Sequence, residues 1–462
     1  MTCEIRISHC YPNLSHTSVR VKIHRIMYKR HYHRTKRRLL SIKKWKVRLL
    51  LWGSAIAIGL TAAFFALASH QSDELYHQLY REHPMIAYSL PPIGLTLIAW
   101  LTRRFFPGSE GSGIPQAIAA LSMSSHAMRS KVLSFKVALA KIFLTCLGLL
   151  SGASIGREGP TVHVGASIMY SLRKYMPNLR GRDMTRVLIL AGGAAGISAA
   201  FNTPLAGIIF AIEEMSRSFE ERKSGTLLIA VVLAGVTALS VLGEYTYFGH
   251  TTESIALSSA WIAVIACGVV GGLLGGLFSS SLIFGTRQIA AYLSAYPIRI
   301  AFVCGLILSL LGFLSDGQTF GTGYLEAKNL VDGGEVSPAF PFYKLLATVA
   351  SYLSGIPGGI FAPSLSVGAG LGADLAQFMP SIPFSAIVML GMVGYFTGVV
   401  QTPITAFVIV MEMTGSSSML MPLMATALIA KAVSHLVCPT PIYQALADAY
   451  LHKTVQNDKD KQ

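Results

Sequence analysis

Three short segments rich in glycine and proline carry the residue types that can bind an anion inside a membrane. They read GSGIP at 111–115, GREGP at 156–160 and GGIFAP at 358–363. Glycine lets an ion approach the backbone, and proline fits the first turn of a helix. Because the start of a helix presents unpaired N–H groups and a partial positive charge, several converging helix ends would attract an anion. Helix ends carry no full positive charge, so they would release the anion more readily than a lysine would. The segments therefore predict an anion-transport site.

One of these segments also contains a carboxylate, Glu158. An ionisable side chain within the membrane is costly and is a functional candidate by default. At an anion site it could occupy the site when ionised and leave it when protonated, so one group would be both gate and proton carrier. A structural salt bridge to Arg157 is the alternative. We consider it weaker because adjacent residues on a helix do not face each other.

The composition indicates that these segments lie in a membrane. The 462 residues are 52% hydrophobic and 13% charged, whereas soluble domains carry about 25% charged residues. Apolar runs long enough to cross about 30 Å of hydrocarbon recur from Leu49 to Leu436. The six cysteines are scattered and form no CxxC pair, so they predict neither a disulfide framework nor a metal site. We expect a multi-pass integral membrane protein.

The net charge of +16 is concentrated before the first apolar run. Residues 1–48 hold 14 of the 38 basic residues and one of the 22 acidic residues, which gives this arm +13. A basic arm beside a membrane span is expected in the cytoplasm, against anionic lipid headgroups. We therefore expect lipid contact and no nucleic-acid partner. The arm lacks the apolar core of a signal peptide, and Met27 is an alternative start.

Several apolar segments are too short to cross a bilayer upright, since glycine or proline interrupts them. They are Gly111–Leu121, Gly159–Tyr175, Pro204–Met215, Ile360–Leu375 and Pro403–Met413. Non-helical backbone at membrane depth is tolerated only where protein or a water-filled cavity surrounds it. The pattern predicts an all-α bundle of broken and tilted helices.

The chain contains an internal repeat. Residues 156–166 align with 359–369 without a gap at an offset of 203, and Gly156, Pro160 and Gly165 coincide with Gly359, Pro363 and Gly368. Two further pairs follow the same order: Thr203-Pro204 with Thr402-Pro403, and, more weakly, Gly111-Ser112-Gly113 with Gly321-Thr322-Gly323. We predict two homologous halves, about 85–243 and 259–437. Paired helix breaks point to a transport site near the membrane midplane, although close helix packing alone could also explain them.

The repeat predicts different roles for the two neighbouring glutamates Glu213 and Glu214. Glu213 matches Glu412, which predicts a structural role common to both halves. Glu214 stands opposite Met413, so its role would belong to one half only. The alternative for Glu214 is a solvated or salt-bridged carboxylate near Arg217.

The three motifs, in this order and spacing, resemble the CLC family of chloride channels and proton-coupled exchangers. The isolated tyrosine in Pro441-Ile442-Tyr443 also fits, and the likeness extends over most of residues 49–452. The resemblance implies a polytopic fold of two inverted repeats in a homodimer with one pore per subunit. It also implies a C-terminal pore helix at 440–452 and a charged tail at 453–462. With no regulatory CBS domains, the chain looks like a bacterial-type member in the inner membrane.

The resemblance also assigns site residues. The implied chloride ligands are Ser112, Gly113, Ile360, Phe361 and Tyr443. Glu158 would be the gate and external proton carrier, and Glu214 the internal proton-transfer residue. We expect no metal and no cofactor, because chloride and protons are the transported substrates.

Some positions near these residues depart from the family pattern or leave a choice open. Gln116-Ala117-Ile118 stands where the family commonly has acidic residues. The buried basic residue of the family could be Lys136 or Lys141. His163, just past the gate, is expected to be a packed polar residue.

The leading hypothesis is H⁺/Cl⁻ exchange, and the alternative is a passive voltage- or pH-gated chloride channel of the same fold. Glu214 favours exchange. An intramembrane enzyme with Ser112 as nucleophile would need His126 or His163 as its base, and neither lies in a recognisable catalytic frame. We therefore expect no enzyme.

Overall fold

The structure is a computed structural model that describes residues 42–123, 125–175, 184–216, 224–243, 247–249, 253, 255 and 260–459. These residues form α-helices joined by short loops, as the sequence predicts. In chain order the helices are α1 Ile42–Glu82, α2 Pro84–Phe105, α3 Ile114–Ser122, α4 His126–Val132, α5 Phe135–Leu150, α6 Glu158–Ser171, α7 Met184–Phe201, α8 Pro204–Phe210, α9 Ser224–Leu242, α10 Trp261–Ala295, α11 Pro297–Leu314, α12 Tyr324–Val331, α13 Phe340–Leu353, α14 Phe361–Ala376, α15 Phe384–Val400, α16 Pro403–Thr414, α17 Leu420–Val437 and α18 Ile442–Lys459.

Eight helical segments of the described residues are long and apolar enough to cross a membrane. They are Trp45–Glu82, Pro84–Phe105, His126–Leu150, Met184–Phe201, Gly225–Leu242, Trp261–Ala295, Pro297–Leu314 and Ser417–Val437. The prediction of a multi-pass membrane protein is therefore confirmed.

The shorter helices begin where glycine and proline interrupt the apolar runs. Helix α3 has only 9 residues, α8 has 7 and α16 has 12. Proline lies in the first turn of each, where its missing N–H removes no intrahelical hydrogen bond. The predicted bundle of broken helices is confirmed.

The two halves repeat their helix packing through glycine. A Cβ on Gly165 of α6 would collide with the backbone of Gly192 in α7, and a Cβ on Gly368 of α14 would collide with Gly391 in α15. Small residues at helix crossings allow the close backbone approach that stabilises membrane bundles. The same contact thus recurs at matched positions of the repeat.

Two glutamates connect the halves through reciprocal helix caps. The Glu213 carboxylate accepts hydrogen bonds from the N–H groups of Ile404 (3.2 Å) and Thr405 (2.7 Å) at the start of α16. The Glu412 carboxylate accepts hydrogen bonds from the N–H groups of Leu205 (3.2 Å) and Ala206 (2.8 Å) at the start of α8. Each glutamate satisfies N–H groups that lack intrahelical partners. The shared structural role predicted for this pair is therefore observed.

The chain ends differ from the predicted boundaries or lie outside the described residues. Residues 42–51, the first turns of α1, form a unit separate from residues 52–462. Most of the basic arm, with Met27, lies outside the described residues. The C-terminal helix, predicted to end near His452, continues to Lys459 and includes much of the predicted charged tail. No glycine or proline between Ile442 and Lys459 interrupts its hydrogen bonding.

Candidate anion site

The loops before α3, α6 and α14 are hydrogen-bonded together. Gly111 N–H donates to the Ile356 carbonyl (3.2 Å), and Gly358 N–H donates to the Gly111 carbonyl (3.4 Å). Gly156 and Gly359 exchange two N–H···O bonds of 2.7 and 2.6 Å. The loop before α14 therefore joins the other two, and the three helix N-termini predicted to form the site converge.

Ser112 lies against the start of α6. It is buried, and a Cβ at Gly159 would overlap its hydroxyl, so the helix can approach this closely only with glycine there. Gly113 has φ of 105°, a conformation that other residues rarely adopt. Among the described residues, the Ser112 hydroxyl has no hydrogen-bond partner.

Glu158 is the first residue of α6 and is fully buried. Its side chain folds back over Gly156, where a Cβ would overlap the carboxylate. The carboxylate faces the N–H groups of Glu158 itself and of Ala362 in the first turn of α14. It forms no hydrogen bond with the residues that the structure describes. The Glu158 carboxyl group therefore lies at the N-termini of two helices, where an anion is favoured.

The Arg157 side chain takes part in other contacts beside this site. It donates a hydrogen bond to the Ser69 hydroxyl (3.2 Å), and its guanidinium lies over the Tyr247 ring at 5.8 Å. These contacts orient Arg157 toward α1.

Tyr443 and Phe361 complete the same site. Tyr443, in the first turn of α18, is fully buried and stacks on the Phe361 ring with centroids 5.8 Å apart. Its hydroxyl faces that of Ser112 and has no hydrogen-bond partner within the described part of the chain. Ile360, the residue before α14, is also buried. The structure thus brings the predicted residues of both halves together.

Glu214 occupies a π-helical turn, Ala211–Ser216, at the end of α8. The wider turn lets Glu213 cap α16 while Glu214, its neighbour, is 2% exposed. Glu214 and Glu158 both act electrostatically on the Tyr443 hydroxyl. Tyr443 therefore lies within the fields of both predicted proton-transfer carboxylates. Arg217, the alternative partner considered for Glu214, lies outside the described residues.

Comparison with known proteins gives the family. The model of the family described as voltage gated chloride channel matches residues 94–435. The chain belongs to this family.

Named relatives and solved structures agree with this membership. The chain is 29% identical over 434 residues to the H(+)/Cl(-) exchange transporter ClcA of Vibrio campbellii, covering 87% of this chain and 88% of the relative. It is 30% identical over 401 residues to the protein of that name in Yersinia pestis, covering 81% of each. Its fold is similar to a slow cyanobacterial Cl⁻/H⁺ antiporter (TM-score 0.77, 24% identity, 88% of this chain and 98% of that one). It is also similar to a CLC-type fluoride/proton antiporter (TM-score 0.76, 22% identity, 88% of this chain and 99% of that one). The predicted CLC fold is confirmed.

The structure distinguishes between Lys136 and Lys141, the two lysines considered for the buried basic residue of this CLC chain. Lys141 is fully buried, and its Nζ donates to the carbonyls of Ser109 (2.9 Å), Glu110 (3.3 Å) and Gly111 (2.9 Å). Lys136 instead lies over the Phe106 ring at 5.8 Å. Lys141 is therefore the buried lysine, and it fixes the loop that carries Ser112.

The sequence analysis did not predict a second buried lysine with contacts like those of Lys141. Lys344 is also fully buried, and it donates to the carbonyls of Thr319 (2.9 Å), Phe320 (3.2 Å) and Gly321 (2.9 Å). The repeat offset of 203 links Lys344 to Lys141, so the sequence did contain a signal that could have found it.

Other polar residues near the site have structural contacts. The His163 ring bonds through Nε2 to the Val132 carbonyl (3.1 Å), which agrees with a packed polar residue. Gln116 donates to the Glu110 carbonyl (2.6 Å) and belongs to the wall of a cavity of about 560 Å³ that reaches Ser112. Arg103, Arg287 and Lys453 line this cavity too, so basic residues outnumber the acidic Glu110 among its charged lining residues.

Proposed function

We propose that this chain exchanges chloride for protons across a membrane. The observation that carries the proposal is the pair of buried hydroxyls, Ser112 and Tyr443, that face each other without partners among the described residues. Buried polar groups in proteins are nearly always hydrogen-bonded. Two O–H donors beside converging helix N-termini suit a small anion, which accepts from both. The curated relatives named as H(+)/Cl(-) exchange transporters support chloride as that anion.

In this proposal the ligands are hydroxyls and amides, without a full positive charge. Chloride accepts hydrogen bonds from the hydroxyls of Ser112 and Tyr443. Backbone N–H groups at the helix starts come from Gly113, Ile360 and Phe361. Such a site binds an anion and still releases it, as transport requires. Lys141 supplies positive charge nearby without contacting the ion, because its ammonium group is bonded to three carbonyls.

Glu158 acts as the gate. Its carboxyl group lies at the N-termini of α6 and α14 and, when ionised, competes with chloride for the same helix dipoles. Protonation removes this attraction and frees the space for chloride. Anion movement and proton movement are then coupled because one side chain takes part in both.

Glu214 supplies the second proton-transfer group. It is buried, has no counterpart in the other half, and acts on the same hydroxyl of Tyr443 as Glu158 does. A proton that enters through Glu214 and leaves through Glu158 would cross the protein beside the chloride path. A passive chloride channel needs no such second carboxylate, which is why we favour exchange.

The proposal extends to assembly and location. We propose a homodimer because the chain belongs to this family, and one pore per subunit because α3, α6, α14 and α18 of a single chain complete the site. The bacterial relatives support placement in a bacterial inner membrane, with lipid around the helices.

Flux measurements on variants in liposomes test the roles of the two carboxylates. Glu158→Ala and Glu214→Ala should each abolish chloride-driven proton movement while chloride still passes. Glu335→Gln, at an exposed carboxylate, is the matched control and should keep full coupling. If Glu214→Ala retains normal proton movement, the assignment of the internal relay is wrong.

A further inference from the structure

The second half contains a loop built like the one that carries Ser112. Gly321-Thr322-Gly323 precedes α12, and Thr322 is the repeat counterpart of Ser112. Lys344 binds the carbonyls that lead into this loop, as Lys141 does in the first half. Gly321 and Gly323 have φ of 67° and 76°, which favours glycine at both. The loop thus reproduces the hydroxyl, the glycines and the buried lysine of the candidate anion site.

A carboxylate of the chain itself lies on this loop. Asp73 of α1 is buried, and its Oδ2 accepts a hydrogen bond from the Thr322 hydroxyl (3.1 Å). The carboxylate also faces the Thr322 N–H. It packs so closely on Gly321 that a Cβ there would overlap Oδ1. Asp73 therefore holds, on Thr322, the position that an anion would hold on Ser112.

A second polar group is directed at the same loop. The Ser366 hydroxyl is fully buried, lies against Gly323 and has no hydrogen-bond partner among the described residues. The Oδ1 atom of Asp73 likewise accepts no hydrogen bond within the described chain, and His77 Nε2 is 4.0 Å from it. The Ser366 hydroxyl is therefore a hydrogen-bond donor beside this loop that the Asp73 carboxylate does not use.

We propose that Gly321-Thr322-Gly323 is a second anion site, kept filled by the tethered carboxylate of Asp73. Its ligand class is a small monovalent anion, either a halide or a carboxylate. Because Asp73 is attached to α1, this ligand does not exchange with solution, and the second half carries no transported ion. The structural repeat has thus kept two anion sites, of which one is closed by the protein itself.

The surroundings would allow a small ion to replace the carboxylate. Asp73 and Thr322 both line a cavity of about 310 Å³ that also borders His77 and Arg157. The fully buried Lys344 lies behind the loop and adds positive charge. Removal of the Asp73 carboxylate would take away one of the two carboxylates that act on Lys344, and Glu326 would remain.

Bromide provides a direct test, since its position can be found by anomalous X-ray scattering. Crystals of Asp73→Ala grown in bromide should show one bromide per subunit at the Thr322 hydroxyl, and wild-type crystals should show none there. Addition of Thr322→Val should remove that bromide. Absence of bromide at the loop in Asp73→Ala, at a concentration that fills the Ser112 site, would overturn the proposal.

Thermal unfolding in detergent gives a second readout that involves no transport. Formate should raise the Tm of Asp73→Ala in a concentration-dependent way, by about 2 °C or more beyond any rise in wild type, because a ligand that binds only the folded state stabilises it. Gluconate, a carboxylate too large for the loop, is the matched control. Asp73→Ser serves for both experiments if Asp73→Ala does not fold. Equal responses of variant and wild type to formate would contradict a vacated anion site.

Discussion

At the scale of single residues, the candidate anion site contains buried polar groups that have no partner among the described residues. Ser112 and Tyr443 present hydroxyls to one space, and Glu158 places a carboxylate at its edge. An unpaired buried donor is costly, so its presence calls for a ligand. In the second half, the Ser366 hydroxyl is likewise buried without a partner among the described residues, and so is the Oδ1 atom of Asp73, which reaches that half from α1. Residue type alone could not show this, since serine and tyrosine are common throughout the chain.

Tyr443→Phe tests the hydroxyl in isolation. The loss of one hydrogen bond to an anion should weaken chloride binding by about three- to tenfold, which calorimetric titration would measure. Tyr395→Phe is the matched control, because Tyr395 is also fully buried, has a hydroxyl without a hydrogen-bond partner among the described residues, and packs on Phe278 of α10. Equal affinities in wild type and Tyr443→Phe would exclude this hydroxyl as a ligand.

The paired lysines make a comparison possible between the halves. Lys141→Met and Lys344→Met each leave three carbonyls without their ammonium donor, so both should lower the free energy of unfolding by about 3 kcal/mol or more. Only Lys141→Met should also weaken chloride binding, since only its loop carries Ser112. Unfolding curves together with chloride titration would separate the two effects. A variant at Lys344 that weakens chloride binding at Ser112 as strongly would contradict the division of roles.

At the scale of helices, the sequence predicted much of the architecture because glycine and proline act locally. Helices α3, α6, α8, α14 and α16 begin within a few residues of the predicted positions. The repeat also predicted a shared role for Glu213 and Glu412. The repeat could not show that each glutamate caps a helix N-terminus in the other half, because that depends on how the helices pack in space. For the same reason it left Lys136 and Lys141 unresolved, and it missed Lys344 and Asp73.

The reciprocal caps predict matched losses of stability. Glu213→Ala and Glu412→Ala each remove a carboxylate from two helical N–H groups, so each should lower the free energy of unfolding by about 1–2 kcal/mol. Neither change should alter the ratio of protons to chloride, in contrast to Glu214→Ala. Thermal unfolding and liposome flux on the same preparations would measure both. Loss of proton coupling in a stable Glu213→Ala protein would show that Glu213 has a further role.

Helix crossings predict a further difference in stability. Gly165→Ala and Gly368→Ala place a methyl group against a neighbouring helix backbone and should destabilise the protein by about 1–3 kcal/mol each. Gly53→Ala in α1 meets no atom within 4 Å and should be neutral or stabilising by about 0.5–1 kcal/mol. Comparable unfolding temperatures for all three variants would argue against close packing at these crossings.

At the scale of the whole molecule, the two halves are similar in backbone and different in chemistry. The first half carries Glu158 and Glu214, while the second has Phe361 and Met413 at the matched positions. In the second half, the Thr322 hydroxyl instead donates a hydrogen bond to Asp73 of α1. The fold supplies two similar frames, and in the function that we propose a few side chains restrict proton-coupled anion transport to one of them. This asymmetry was visible in the sequence for the glutamates, but Asp73 comes from α1, outside the recognised repeat.

The most direct test of proton-coupled exchange is chloride-driven proton movement by the wild-type protein. Liposomes that contain the purified protein would be given a chloride gradient, with the voltage clamped by valinomycin and potassium and with external pH recorded. Exchange predicts that chloride flow drives protons uphill in the opposite direction, and that removal of the chloride gradient stops them. Chloride flux with no accompanying proton movement would contradict exchange and leave a passive chloride channel as the function of this fold.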